Sequence, residues 1–218
     1  MKLFLDTANI NEITRGAETG LIRGVTTNPS HVAATGAVFE DVVREICRHM
    51  PEHVSAEAMA DSVDGLVSEA ERIAALAPQV VVKIPMTRDG LVAVQRLKTR
   101  GVRTNVTMVF SPTQAHLAMS AGADFVSIVL SRLEKVGIES DRLIEDTVTI
   151  RDIYGFSSEI LAASIKTQPT LLTCLRSGVD ISTIPFGLFE QLYQHPLTDE
   201  GLATFETDWK QVKSEKPQ

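Results

Sequence analysis

Val80-Val81-Val82-Lys83-Ile84-Pro85 decides how the chain is read. Four β-branched apolar residues in a short run, closed by proline, read as a β-strand. The run does not alternate with polar residues, which suits a parallel strand buried on both faces. One lysine interrupts it. A lysine side chain is almost never fully buried unless something specific holds it. Desolvation disfavours the ammonium and makes the amine a nucleophile near neutral pH. Bringing a lysine from about 10.4 to about 7 corresponds to roughly 4 to 5 kcal/mol. The bland alternative is that Lys83 lies at a strand end and snorkels to water.

Outward from this stretch, short apolar strands alternate with helical patterns along the whole chain. The expected strands are 2–6, 24–27, 53–58, 80–84, 103–109, 124–129, 159–163 and 181–184. Helices are expected at 10–19, 38–49, 62–76, 90–99, 112–120, 140–154, 169–177 and 187–194, with an extra C-terminal helix at 198–213. In the third helix Val63, Leu66, Val67, Ala70, Ile73 and Ala74 keep helical spacing. Ser111 and Pro112 open the fifth as cap and first helical residue. Eight strand–helix units predict an α/β fold of the parallel kind, and eight is the count of a closed (β/α)8 TIM barrel. A doubly wound open sheet is the alternative. Neither GxGxxG nor GxxxxGK[ST] occurs.

The 218 residues suit one domain, 1–218, able to bury roughly 70% of its unfolded surface. A net charge of -7 argues against electrostatic binding to nucleic acid or to an anionic membrane, while leaving room for a local anion pocket. Cys47 and Cys174 show no metal-ligand spacing and suit a reducing, cytoplasmic compartment. The apolar run at 1–6 is too short for a signal peptide, and no run reaches membrane-spanning length. The tail from Gln211 to Gln218 reads as frayed.

In a parallel barrel, chemistry sits at the C-terminal strand ends, and alternate side chains face the lumen. Parity then places Asp6, Thr26 and Asn28, Glu57, Lys83, Asn105 and Thr107, Ser127, Ser164 and Lys166 where they can converge. A neutral Lys83 attacks a carbonyl carbon and forms a Schiff base, an electron sink that lets a nearby carbon–carbon bond break. Dehydration and cleavage need proton shuttling, which Asp6 and Glu57 can supply, one directly and one through water. Asn28, Asn105, Thr107 and Ser127 can hydrogen-bond a polyol. No metal or other cofactor is required. His31, His49, His53, His116 and His195 lack ligand spacing and read as surface or helix residues.

Phe4-Leu5-Asp6-Thr7-Ala8, Gly24-Val25-Thr26-Thr27-Asn28-Pro29-Ser30, Ser55-Ala56-Glu57, Val82-Lys83-Ile84-Pro85-Met86-Thr87, Thr104-Asn105-Val106-Thr107 and Leu161-Ala162-Ala163-Ser164 resemble the small transaldolases and the related fructose-6-phosphate aldolases. His195-Pro196-Leu197-Thr198-Asp199 and the run from Phe205 to Trp209 fit as well. The resemblance covers essentially the whole chain. It implies a Schiff-base lysine at Lys83 and transfer of a dihydroxyacetone unit between sugar phosphates, as in the pentose phosphate pathway. It also implies a ring-shaped homo-oligomer, a pentamer or decamer, whose last helix reaches onto a neighbour. Asp6 and Glu57 fall on proton-transfer carboxylates. Asn28, Asn105 and Ser127 fall on donor-binding positions, and Thr107 on the threonine that holds a catalytic water. Arg132, Ser164 and Lys166 fall on phosphate-binding positions. The aldolase branch, which releases free dihydroxyacetone, has glutamine at the position of Glu57 and tyrosine at that of Val129.

The departures gather at one end. After Ser127 the transaldolase pattern runs roughly Pro-Phe-Val-Gly-Arg-Leu-Asp, but this chain reads Ile128-Val129-Leu130-Ser131-Arg132-Leu133-Glu134. Lys166 stands where an arginine is common, a point charge in place of a bidentate fork. These changes flank the substrate's anionic end, so a sugar with another anion, such as 6-deoxy-6-sulfofructose, is an alternative substrate.

Overall fold

The computed structural model describes residues 1–214. Its strands are β1 (Lys2–Asp6), β2 (Ile22–Thr26), β3 (His53–Glu57), β4 (Val80–Pro85), β5 (Thr104–Val109), β6 (Phe125–Val129), β7 (Glu159–Ala163) and β8 (Ile181–Ile184). The helices are α1 (Ile10–Glu18), α2 (Pro29–Thr35), α3 (Phe39–His49), α4 (Val63–Ala74), α5 (Arg88–Thr99), α6 (Pro112–Ala121), α7 (Leu130–Lys135), α8 (Asp141–Tyr154), α9 (Gln168–Ser177), α10 (Phe186–Gln191) and α11 (Pro196–Ser214). The strands pair in chain order and β8 returns to β1, every ladder parallel, so the sheet closes into a barrel. Closure leaves no strand edge free to pair with another chain.

Strand alternation sorts the side chains into two cores. Leu5, Val25, Val54, Val82, Val106 and Val126 face the helices and join Ile13, Ile46, Leu66 and Val94 there. Phe4, Val81, Phe125, Leu161 and Ile181 point inward and fill the lumen. Gly24 is the gap that Phe4 requires: a Cβ at residue 24 would lie 2.7 Å from the Phe4 ring and 2.8 Å from the His53 carbonyl. His53, expected at the surface or on a helix, instead opens β3. Its ring stacks on Phe4 at 5.8 Å and meets Phe125 edge-on at 5.4 Å. Burial, helped by Arg103 and Lys2, holds it below the ordinary histidine value. The apolar plug fills the N-terminal part of the lumen and leaves the C-terminal part to polar groups.

Side-chain caps start the helices where the sequence places Ser, Thr or Asn before them. Asn9, Ser62, Thr87, Ser111 and Thr167 each accept an N–H of the first turn. Two short helices, α2 and α7, add to those the sequence predicts. For α2 the signal is present, since Asn28 caps it and Pro29 takes its first position. Residues expected to fray from Gln211 continue α11 to Ser214; the rest of that tail, 215–218, lies outside the described residues. Leu202, Phe205 and Val212 on α11 are each more than half exposed. Among the described residues, no helix is long and apolar enough to cross a membrane.

Candidate active site

At the C-terminal ends of the strands the lumen opens into a cavity of about 500 Å³. Lys83 reaches it from β4, with only 9% of the residue exposed. The Lys83 Nζ donates to the Thr27 carbonyl at 3.0 Å and lies 3.4 Å from Glu57 Oε2. Both partners follow from the ladder. Glu57 is the registered neighbour of Lys83 on β3, with the same inward parity. Thr27 is tied down by its own N–H and hydroxyl, which both donate to the Ser55 carbonyl, at 3.0 and 2.8 Å. The amine is thus anchored by one fixed carbonyl and faces one carboxylate, with 11% of the lysine side chain exposed.

Asp6 stands on β1, in register with Thr26 on β2. Thr26 Oγ1 donates to Asp6 Oδ1 at 3.0 Å and sits 2.7 Å from Thr183 Oγ1 on β8. A hydroxyl has one proton, so Thr183 must donate to Thr26 while Thr26 donates to Asp6. The relay aims one hydrogen bond at the carboxylate and leaves its other oxygen for a ligand. Asn28 also lines the cavity; its side-chain oxygen caps α2 by accepting the His31 N–H at 2.9 Å.

The other wall comes from β5, β6 and β7. Thr107, Ser127, Arg132 and Ser164 line it, as do Val129, Leu161 and Ala163. The β5–β6 ladder shifts register between Val106 and Val109, and Met108 takes a φ of 63°. Such bulges re-aim side chains beside active sites; here the bulge holds Thr107 and Met108 on the cavity wall. Ser164 has a φ of 60°. For a residue with a Cβ this region costs about 1 to 2 kcal/mol, and such strain gathers at functional sites. Arg132 is on α7, exposed, and no carboxylate pairs with it among the described residues.

All of the expected site residues line the cavity except two. Asn105 is fully buried: its Nδ2 donates to Ser55 Oγ at 3.2 Å and its Oδ1 accepts from Ser127 Oγ at 2.7 Å. It supports Ser127 and has no surface for a substrate. On β7 Leu161 and Ala163 face the lumen, so regular alternation would send Ser164 and Lys166 to the helix side. The positive φ at Ser164 breaks that alternation: Ser164 lines the cavity, Ile165 is buried among the helix-facing residues, and Lys166 is exposed, off the cavity wall. His31 and Thr183 enter the site's hydrogen-bond network although sequence reasoning does not single them out. The signal for Thr183 is its parity, shared with the lumen residue Ile181. Cys47 and Cys174 lie outside the site, and burial pushes both thiols up to about 11. Among the described residues no three His, Cys, Asp or Glu side chains gather where they could hold a metal ion.

Comparison with known proteins gives four findings. The family model described as Transaldolase/Fructose-6-phosphate aldolase matches residues 3–216. A probable transaldolase of Aquifex aeolicus is 47% identical over 217 residues, covering all of both chains. A probable transaldolase of Desulfotalea psychrophila is 46% identical over 210 residues, covering 96% of this chain and 98% of the other. Among solved structures, a putative phosphonomutase from Burkholderia cenocepacia aligns with a TM-score of 0.62 at 13% identity, over 94% of this chain and 92% of the other, a likeness of fold.

Proposed function

The chain belongs to the transaldolase/fructose-6-phosphate aldolase family, and on that premise we propose that it is a transaldolase working through a Schiff base on Lys83. It moves a dihydroxyacetone unit from a ketose resembling fructose 6-phosphate to an aldehyde acceptor. The observation that carries the reading is the buried Lys83 amine, 3.4 Å from Glu57 in the floor of the cavity.

Lys83 gives up a proton and its Nζ attacks C2 of the ketose. The carbinolamine loses water to form the protonated imine. Glu57, beside the nitrogen, is placed to handle the proton transfers of this stage, with Thr107 holding the water involved. Asp6, positioned by Thr26 and Thr183, takes the proton of the C4 hydroxyl. The C3–C4 bond then breaks, its electrons flow into the imine, and an aldehyde leaves. The enamine on Lys83 attacks the acceptor aldehyde, and hydrolysis frees the new ketose. Asn28 and Ser127 bind hydroxyls of the three-carbon unit. Glu57 in place of glutamine, and Val129 in place of tyrosine, favour transfer over release of free dihydroxyacetone.

Arg132 and Ser164 hold the substrate's anionic end. One observation favours a second reading of the anion. With Lys166 exposed off the cavity wall, Arg132 is the cation lining that end of the cavity among the described residues. A phosphate carries about -1.5 to -2 charges at neutral pH, whereas a sulfonate carries one. A single guanidinium suits a sugar such as 6-deoxy-6-sulfofructose. We also propose that the whole chain is one domain, that it works in the cytoplasm in sugar interconversion of the pentose phosphate kind, and that it assembles as a ring in which α11 packs on a neighbour.

The test is turnover of each ketose with and without an acceptor aldehyde. Transfer that depends on the acceptor supports the reading. Equal consumption of ketose with and without it identifies the aldolase reaction instead.

A further inference from the structure

Asn28 is held by an unusual pair of contacts from a single residue. Its Oδ1 accepts the backbone N–H of His31 at 2.9 Å, and its Nδ2 lies 3.3 Å from Nδ1 of the His31 ring. The first contact fixes the second. A backbone N–H can only donate, so the amide atom it meets must be the oxygen. The atom facing the ring is therefore the NH₂, which also can only donate. A hydrogen bond across this contact uses Nδ1 as the acceptor, the tautomer that carries its hydrogen on Nε2. One Nδ2 hydrogen is engaged by the ring, and the other remains for a ligand in the cavity that Asn28 lines.

The same Nδ1 lies 3.8 Å from Asp6 Oδ1, beyond hydrogen-bond reach. The ring therefore stands beside two groups of the site while bonding one. His31 also lines a recess with Thr7, Asn9, Ile10 and Ala34. Its surroundings are a polar contact on one edge and an opening on the other, so core packing alone does not account for a histidine here.

We propose that His31 is a positioning residue of the transfer reaction. The inference rests on the Schiff-base reading, because it assigns Asn28 to the three-carbon unit bound on Lys83. Nδ1 of His31 fixes the rotation of the Asn28 amide, so that the free Nδ2–H is presented to a hydroxyl of that unit as the imine forms and breaks. Without the ring acceptor, the His31 N–H still binds Oδ1, but the rotation of the amide plane loses its second anchor.

The test uses His31→Leu and His31→Asn, each alone and with Asn28→Ala. Asparagine can place its side-chain oxygen near the position of Nδ1; leucine cannot. Loss of one neutral hydrogen bond corresponds to about a three- to tenfold fall in kcat/KM. His31→Leu should show that fall, and His31→Asn should restore most of the activity. Once Asn28 is alanine, His31→Leu should cost nothing further. Equal losses in both single variants, no loss in His31→Leu, or an additive loss in the double variant would overturn the proposal. Should His31→Leu fail to fold, the His31→Gln variant replaces it, with the same outcomes, since its acceptor is offset from Nδ1. Borohydride trapping of the parent with a ketose runs alongside. If the parent forms no adduct, the Schiff-base reading fails; if it does and the variants behave alike, only the role of His31 fails.

Discussion

Glu57 and Arg132 carry the residue-scale predictions because each is assigned to one end of the substrate. Glu57→Gln removes the carboxylate facing Lys83 Nζ while keeping its shape. Transfer should fall roughly 10²- to 10⁴-fold, the range for a general acid–base group, with ketose binding retained in a competition measurement. Unchanged turnover would show that Glu57 is not the proton-transfer group. Arg132→Ala removes the cation at the other end. A charged hydrogen bond is worth about 1.5 to 3 kcal/mol, so kcat/KM for an anionic ketose should fall roughly 10- to 150-fold while that for fructose barely moves. Assaying fructose 6-phosphate against its 6-deoxy-6-sulfonate counterpart on parent and variant reports which anion Arg132 serves. Residues on regular strands are legible from parity, as Asp6, Glu57 and Lys83 show. Asn105 has the right parity, but parity says nothing about depth. Ser55 and Ser127 close over its amide, a contact between strands far apart in sequence.

At the scale of elements, legibility ends where backbone leaves the extended region. Asn28, one residue beyond Thr27, keeps extended angles, and reading on from Thr26 reaches the cavity. Ser164 turns to a positive φ, and the same extrapolation to Lys166 misses it. The His53–Phe4–Phe125 plug makes a testable claim about β3. A histidine held low in the fold binds its proton more readily when unfolded. Its contribution is intact above the unfolded value of 6.5 and is lost as pH falls through that value toward the lower folded one. His53→Phe keeps a ring against Phe4, so its melting temperature should fall less than the parent's between pH 7.5 and 5.5. Parallel curves would remove His53 from the acid sensitivity. Gly24→Ala tests the same plug sterically. The added Cβ meets Phe4 and the His53 backbone at under 3 Å, and overpacking of this kind costs about 1 to 3 kcal/mol, read as a lower denaturation midpoint at unchanged slope.

The whole molecule is the most legible scale, because eight repeats of one unit leave few architectures and each strand's apolar run is read independently of the others. What a single chain does not contain is its neighbour. Leu202, Phe205 and Val212 are exposed on α11, and the proposed ring would cover them. Phe205→Glu should shift the assembly to smaller species in light scattering while far-UV dichroism stays the same; an unchanged mass would move the interface elsewhere. The barrel's main consequence is that it brings β3 and β4 together so that a buried amine meets a carboxylate. The direct measurement is borohydride reduction in the presence of a ketose, followed by peptide mass mapping. A reduced adduct is expected on Lys83, absent in Lys83→Arg, whose guanidinium stays protonated. An adduct on Lys2, Lys98 or Lys166 in the parent, or its persistence in Lys83→Arg, would contradict it.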